Sequence, residues 1–244
     1  QGGYSPEMKL EAKAGQLCRG LGYSEIITYS FVSPTIFDQI RLPKDSALRN
    51  ALKIQNPLGE DTSIMRTIAL PSMLDILSRN NAYHNKSAKL YEVAKVYIPV
   101  EGQLLPEEPK YLMLGTYGAK ETFFTLKGEL DAILQNLNMP AARYTAVNDN
   151  PSYHPGRCAK IVSADGCELG IFGQLHPLTA QNYGIDIPVY AGVLNFDEIW
   201  DNADMVIDYK PLPKFPAVSR DFSFVCDEDL EVGTIEEVMA KAAG

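Results

Sequence analysis

The stretch that most limits how this chain can fold is CAKIVSADGCELGIFG, residues 158–173. Two runs of alternating apolar and polar residues meet at Asp165-Gly166, a pair that supplies the positive φ a tight hairpin turn needs. An antiparallel pair of strands is therefore expected here, and the rest of the chain must supply what covers it. AKLYEVAKVYIP and KYLMLGTYG are β-branched and aromatic runs that suit further strands, as do EIITYSFV, read as mostly buried, ALKIQNP, VYAGVLNF and DFSFVC.

Helices punctuate these runs. Ser5-Pro6 offers a capping hydroxyl and a proline at the first helical position, and Leu10, Ala14, Leu17, Cys18 and Leu21 follow at helical spacing before Gly22. ALPSMLDILSRNNAY aligns Leu70, Met73, Leu74, Leu77 and Asn81, and TLKGELDAILQNLNM aligns Leu126, Leu130, Ile133, Leu134 and Leu137. A short helix after LHP, a helical turn at DEIW and a final helix TIEEVMAKAAG complete the pattern. Helices interspersed with strands and hairpins predict an α+β fold on a mainly antiparallel sheet. DYKPLPKFPAV, rich in Pro and Lys, is the natural linker, giving regions 1–209 and 210–244. QGGY lacks an initiator Met and MAKAAG stops within a helical pattern, so the chain is expected to be an excised piece of a longer polypeptide.

Charge narrows the functions. A net charge of −9 is a poor basis for gripping phosphates unaided, since that needs clustered Lys and Arg. The four cysteines, at 18, 158, 167 and 226, have no CxxC or finger spacing and are expected to be reduced, buried thiols of a cytosolic protein. There is no apolar run of membrane-spanning length and no leader pattern.

The motif search is largely negative. His84, His154 and His176 show no HExxH and no pairing with the cysteines, so no metal site is expected. No GxSxG is present; LGEDTS has no Lys after its Gly, and GLGYSE follows a helix rather than a strand. YHPGR is turn chemistry: Pro155 fixes φ, Gly156 permits φ > 0, and His154 before Pro is held extended. Arg157 then enters a strand, where it either pairs with a nearby acid or clamps an anionic ligand. His176-Pro177 closes a strand and opens a helix.

NPLGEDTSIMRTIALPSML, KLYEVAKVYIP, YHPGRCAKI, GIFGQLHP and PLPKFPAVSRDFSFV occur in that order over nearly the whole chain. Together they resemble the β chain of bacterial phenylalanyl-tRNA synthetases. Departures are Ile68-Ala69 for Ser-Leu, Ser72 for Gly, Ala94-Lys95 for Gly-Arg, and Gln174 for Glu. The resemblance implies an (αβ)₂ cytoplasmic enzyme that joins phenylalanine to its tRNA with ATP and Mg²⁺, the α chain holding the active site. It implies that residues 1–209 are a class II synthetase-like antiparallel sheet flanked by helices, without catalytic residues, and that 210–244 begin a ferredoxin-like anticodon-binding domain, cut after one strand and one helix. The editing domain and the Mg-binding acidic helix of the family are expected upstream of Gln1.

The residues fit a non-catalytic module. Where the family pattern of class II enzymes calls for an Arg in R-x-E/D context to hold the ATP α-phosphate, Ile98-Pro99 stand; the late strand GVLNFDEIW lacks the Gly-rich stretch with its second Arg. No catalytic or metal-binding residue and no cofactor are therefore expected in this region. Arg66, His154, Pro155, Gly156, Arg157, Gly173, His176 and Pro177 are expected to be structural or interface residues. The competing readings are an autonomous amino-acid-activating enzyme and an interaction module unrelated to translation.

Overall fold

The computed structural model describes residues 2–204, 209 and 211–243. In chain order the elements are α1 (Pro6–Gly20), β1 (Ser24–Glu25), β2 (Phe31–Val32), α2 (Ile36–Gln39), β3 (Ile64–Met65), α3 (Leu70–Ala82), β4 (Ala88–Lys95), β5 (Lys110–Tyr117), α4 (Phe123–Asn136), β6 (Arg143–Ala146), β7 (Tyr153–Val162), β8 (Glu168–Leu175), α5 (Pro177–Asn182), β9 (Val189–Asn195), α6 (Phe196–Asn202) and α7 (Val232–Ala243), with 3-10 turns at Ala47–Arg49 and Glu60–Thr62. Contacts divide them into two units, Gln1–Met205 and Val206–Gly244.

The first unit is a mixed α+β structure built on a seven-stranded sheet of order β1-β4-β5-β9-β8-β7-β6. Only β1 and β4 run parallel; every other neighbouring pair is antiparallel. The 158–173 hairpin lies in it, with Cys158 opposite Gly173 and Ile161 opposite Gly170. Ser163 and Cys167 close the turn (Ser163 N to Cys167 O, 2.8 Å), and Gly166 takes φ +92° between them.

Both faces of the sheet are buried. Against one pack Leu10, Ala14 and Cys18 of α1 and Leu126, Leu130 and Ile133 of α4, meeting Leu112, Leu114, Phe172 and Leu194. Against the other pack Leu70, Met73, Leu74 and Leu77 of α3, meeting Leu90, Met113, Tyr117 and Ala191. The helical starts follow the sequence chemistry: Ser5 accepts from Met8 N at 3.2 Å with Pro6 next, and Thr122 caps α4 through Thr125 N at 3.1 Å.

Three expected strands are corrected. EIITYSFV contributes two short strands, Ser24–Glu25 and Phe31–Val32, joined by segment 26–30 outside any ladder, and Ile27 and Tyr29 are exposed rather than buried. ALKIQNP forms a single bridge, Lys53 to Ile64, because Asn56-Pro57 soon turns the backbone away. DFSFVC is not a strand: among the described residues, 221–226 pair with no neighbour, and Phe222, Phe224 and Val225 are exposed. A strand without a partner leaves its backbone groups to water. Hydrogen exchange should therefore be fast for amides 222–226 and slow for 158–162; equal protection would contradict this reading. In the same unit α7 forms as the periodicity predicts. Lys210, where the second region is expected to begin, lies outside the described residues.

Cysteines 18 and 158 are buried, and burial pushes both thiols up to about 12. Cys167 is half-buried and Cys226 exposed, contrary to the expectation of four buried thiols.

Candidate functional site

Seven of the eight singled-out residues gather at one corner of the sheet; Arg66 is elsewhere. On β7 and β8, Tyr153 pairs with Leu175 and Cys158 with Gly173, so His154, Pro155, Gly156 and Arg157 all answer the single residue Gln174. That bulge is the YHPGR turn. Gly156 takes φ +81° and donates its N–H to Asn148 Oδ1 at 3.1 Å. Gly173 faces it closely, with Arg157 O and Cys158 Cα against the position a Cβ would fill.

Arg157 donates from Nη1 to Gln174 Oε1 at 2.7 Å. Its partner is an amide, not the acid expected, because Gln stands where the family pattern has Glu. His176 caps α5: its Nδ1 accepts from Leu178 N at 3.1 Å, and Pro177 occupies the first helical position. His176 N also donates to Ser152 O at 2.9 Å, and Arg41 Nη1 reaches Pro151 O at 2.7 Å. His154 Nδ1 lies 2.5 Å from Pro155 O.

An accepting Nδ1 requires the neutral imidazole with its proton on Nε2. Burial, with Arg41 and His154 nearby, holds the His176 pKa below the usual histidine value. Since folding favours the neutral form, the stabilisation is fully present above the ordinary value of about 6.5 and is lost as pH falls below it toward the depressed folded value. His176→Ala should cost about 1 kcal/mol at pH 8, and His176→Asn should keep the cap and remove this part of the acid sensitivity. Melting curves from pH 8 to 5 check it; an unchanged acid slope in His176→Asn would contradict it. Beside α5 an open cleft of about 570 Å³ is lined mainly by apolar residues, among them Leu175, Pro177, Ile185 and Ile187.

Arg66, just before α3, is almost fully buried. Nε donates to Lys95 O at 2.8 Å, Nη1 to Thr28 Oγ1 at 2.6 Å, and Nη2 is 3.4 Å from Glu92 Oε1. Glu92 in turn accepts from Thr28 N at 3.1 Å and from Thr28 Oγ1 at 2.7 Å. The sequence reading missed Glu92 and Thr28, although a lone carboxylate in the apolar run KLYEVAKV marks a buried charge that must be paired.

This network anchors a segment that exposes three apolar side chains. Ile27 is 93% exposed, Tyr29 82% and Phe31 47%. Next to it an open cleft of about 640 Å³ is lined by Tyr4, Met8 and Gly15 of the α1 region, by Ile27, and by Tyr91 and Val93 of β4. Tyr91 accepts from Arg19 Nη1 at 2.6 Å and donates to Glu25 Oε2 at 2.9 Å; burial is the main cause that raises its pKa to about 12. Lys110 bridges Glu7 and Glu11 of α1 at 2.8 and 2.9 Å.

Among the described residues, no three His, Cys, Asp or Glu side chains gather as a metal site, and no helix is long and apolar enough to cross a membrane.

The fold is similar to that of a solved aminoacyl-tRNA synthetase. Pyrrolysyl-tRNA synthetase from Desulfitobacterium hafniense superposes with a TM-score of 0.66 over 80% of this chain and 68% of that one, at 14% identity. Residues 1–196 match the family described as phenylalanyl tRNA synthetase beta chain CLM domain. The phenylalanine–tRNA ligase beta subunit of Clostridium tetani is 42% identical over 243 residues, 99% of this chain and 30% of that protein. That of Clostridium acetobutylicum is 42% identical over 224 residues, 91% and 28%. The chain belongs to the phenylalanyl-tRNA synthetase β chain family, and it spans about 30% of the length of these relatives.

Proposed function

We propose that this chain is a non-catalytic, class II synthetase-like part of a phenylalanine–tRNA ligase β subunit and that it packs against the catalytic α subunit. Residues 1–209 form that core, and 210–244 begin the ferredoxin-like anticodon-binding domain. The whole enzyme is a cytoplasmic (αβ)₂ ligase that uses ATP and Mg²⁺ to charge tRNA(Phe). Membership of the family and the synthetase fold support this reading.

One observation carries the docking role. EIITYSFV has the composition of a buried strand, yet Ile27 and Tyr29 are open to solvent beside a cleft with Tyr4 and Met8 on its wall. A run of apolar side chains left uncovered in one subunit fits burial by another.

The residues present do not fit ATP. Ile98 stands in the β4–β5 connection, bridged to Glu107, where a phosphate-binding arginine is needed. At the β9–α6 junction, Asn195 caps Asp197 and Glu198, and Asp197 Oδ2 accepts from Lys110 N at 3.1 Å. Apolar and acidic groups give a triphosphate no counter-charge. ATP–pyrophosphate exchange tests the assignment: the β subunit alone should show none and the αβ complex should be active. Phenylalanine-dependent exchange by β alone would restore the autonomous enzyme.

A further inference from the structure

From Ile26 to Val32 burial alternates residue by residue, although the chain bends at Ser30. Ile26, Thr28, Ser30 and Val32 turn inward, while Ile27, Tyr29 and Phe31 turn out. At its centre this inverts the usual arrangement of a sheet edge, where polar side chains face water and apolar ones face the core. Two polar residues are inside because the protein supplies polar partners there.

Those partners replace a strand ladder. The β1–β4 pairing ends near Ile26, whose N–H still donates to Tyr91 O at 2.9 Å. At Thr28 the next residue of β4, Glu92, takes over with its side chain, accepting both the Thr28 N–H and hydroxyl. Arg66 completes the clamp: its guanidinium donates to Thr28 Oγ1, and its backbone N–H donates to Ser30 O at 2.9 Å. Tyr97 N then donates to Arg66 O at 2.9 Å, tying the clamp to the end of β4.

A buried ion pair is a poor way to gain stability, since well-packed apolar residues of similar volume usually serve as well or better. What the pair supplies is register. A segment whose burial alternates exchanges its two faces when it slips by one residue, and here the slip would carry Ile27, Tyr29 and Phe31 inward and Thr28 and Ser30 out. Burial of apolar surface favours that slip; the hydrogen bonds of Glu92 and Arg66 to residue 28 oppose it.

We propose that Arg66 and Glu92 are positioning residues that hold segment 26–32 in the register presenting Ile27, Tyr29 and Phe31 to the α subunit. This rests on the reading of that stripe as the α-facing surface.

The test uses the β subunit with its cognate α subunit and reads melting temperature and α affinity separately. The double variant Arg66→Met/Glu92→Leu should melt at or near the wild-type temperature yet bind α about tenfold more weakly, as expected if one-tenth of the molecules keep the competent register. Wild-type affinity in that variant would overturn the proposal. Should the double variant fail to fold, Thr28→Val removes the central hydroxyl with little change of shape; it should also weaken α binding, and wild-type affinity there would overturn the proposal equally. Ile27→Ser/Tyr29→Ser separates the two layers. Weaker binding by this variant with none in Arg66→Met/Glu92→Leu defeats the positioning role alone. Unchanged binding by the stripe variant defeats the docking reading and the inference with it.

Discussion

Arg66→Ala is expected to lower the unfolding free energy of the chain by about 3–5 kcal/mol, the cost of leaving a buried charge without its partner. The argument is local. Glu92 is nearly as buried as Arg66, and its other partner is Thr28. Removing the guanidinium leaves that carboxylate in a low-dielectric site, orphans the Lys95 carbonyl and takes the cation from Thr28 Oγ1. Urea denaturation followed by circular dichroism measures it. A loss below about 1 kcal/mol, the value typical of exposed pairs, would mean that water reaches the site. The contrast with Arg66→Met/Glu92→Leu is the informative one: deleting one charge should be far more damaging than replacing both.

Gly173→Val should cost at least about 3 kcal/mol, the upper end for overpacking, because the obstruction is backbone rather than a movable side chain. A Cβ at Gly173 would lie 2.4 Å from Arg157 O and 2.8 Å from Cys158 Cα. β8 runs between β9 and β7, so the strain can be relieved only by parting β7 from β8 at the bulge. Gly128 is the control. It sits on the exposed side of α4 with nothing within 4 Å of a built Cβ, and Gly128→Ala should stabilise by about 0.5–1 kcal/mol. Thermal melting of the two variants decides between steric and purely conformational roles for these glycines; equal effects would contradict the close approach.

The elements legible in the sequence were those whose burial is completed within the chain. α3 and α4 bury Leu70, Met73, Leu74 and Leu77, and Leu126, Leu130 and Ile133, as their spacing required. Asp165-Gly166 marked the hairpin, and Ser5-Pro6 marked the first helix, because turn and cap chemistry is local. EIITYSFV was misread because its apolar composition reads as a buried strand, whereas Ile27, Tyr29 and Phe31 face solvent. DFSFVC carries the same apolar signal and lacks a paired neighbour among the described residues. At the site, the strand-to-helix role of His176-Pro177 was legible, whereas the choice of its Nδ1 as the capping atom was not. Of the two readings of Arg157, an acid partner or an anionic ligand, the first is not met: its partner is Gln174, visible only once β7 and β8 are paired. Arg66 was singled out from its motif without its partners, since Thr28 and Glu92 lie 38 and 26 residues away and only the fold brings them together.

The central claim is that Ile27 and Tyr29 form a surface reserved for the α subunit. Oxidative footprinting of these two side chains in the β subunit, alone and in complex with α, tests it most directly. The account predicts strong labelling of both in β alone, in line with their exposure here, and loss of most of that labelling in the complex. Equal labelling in the two states, or protection already present in β alone, would contradict it.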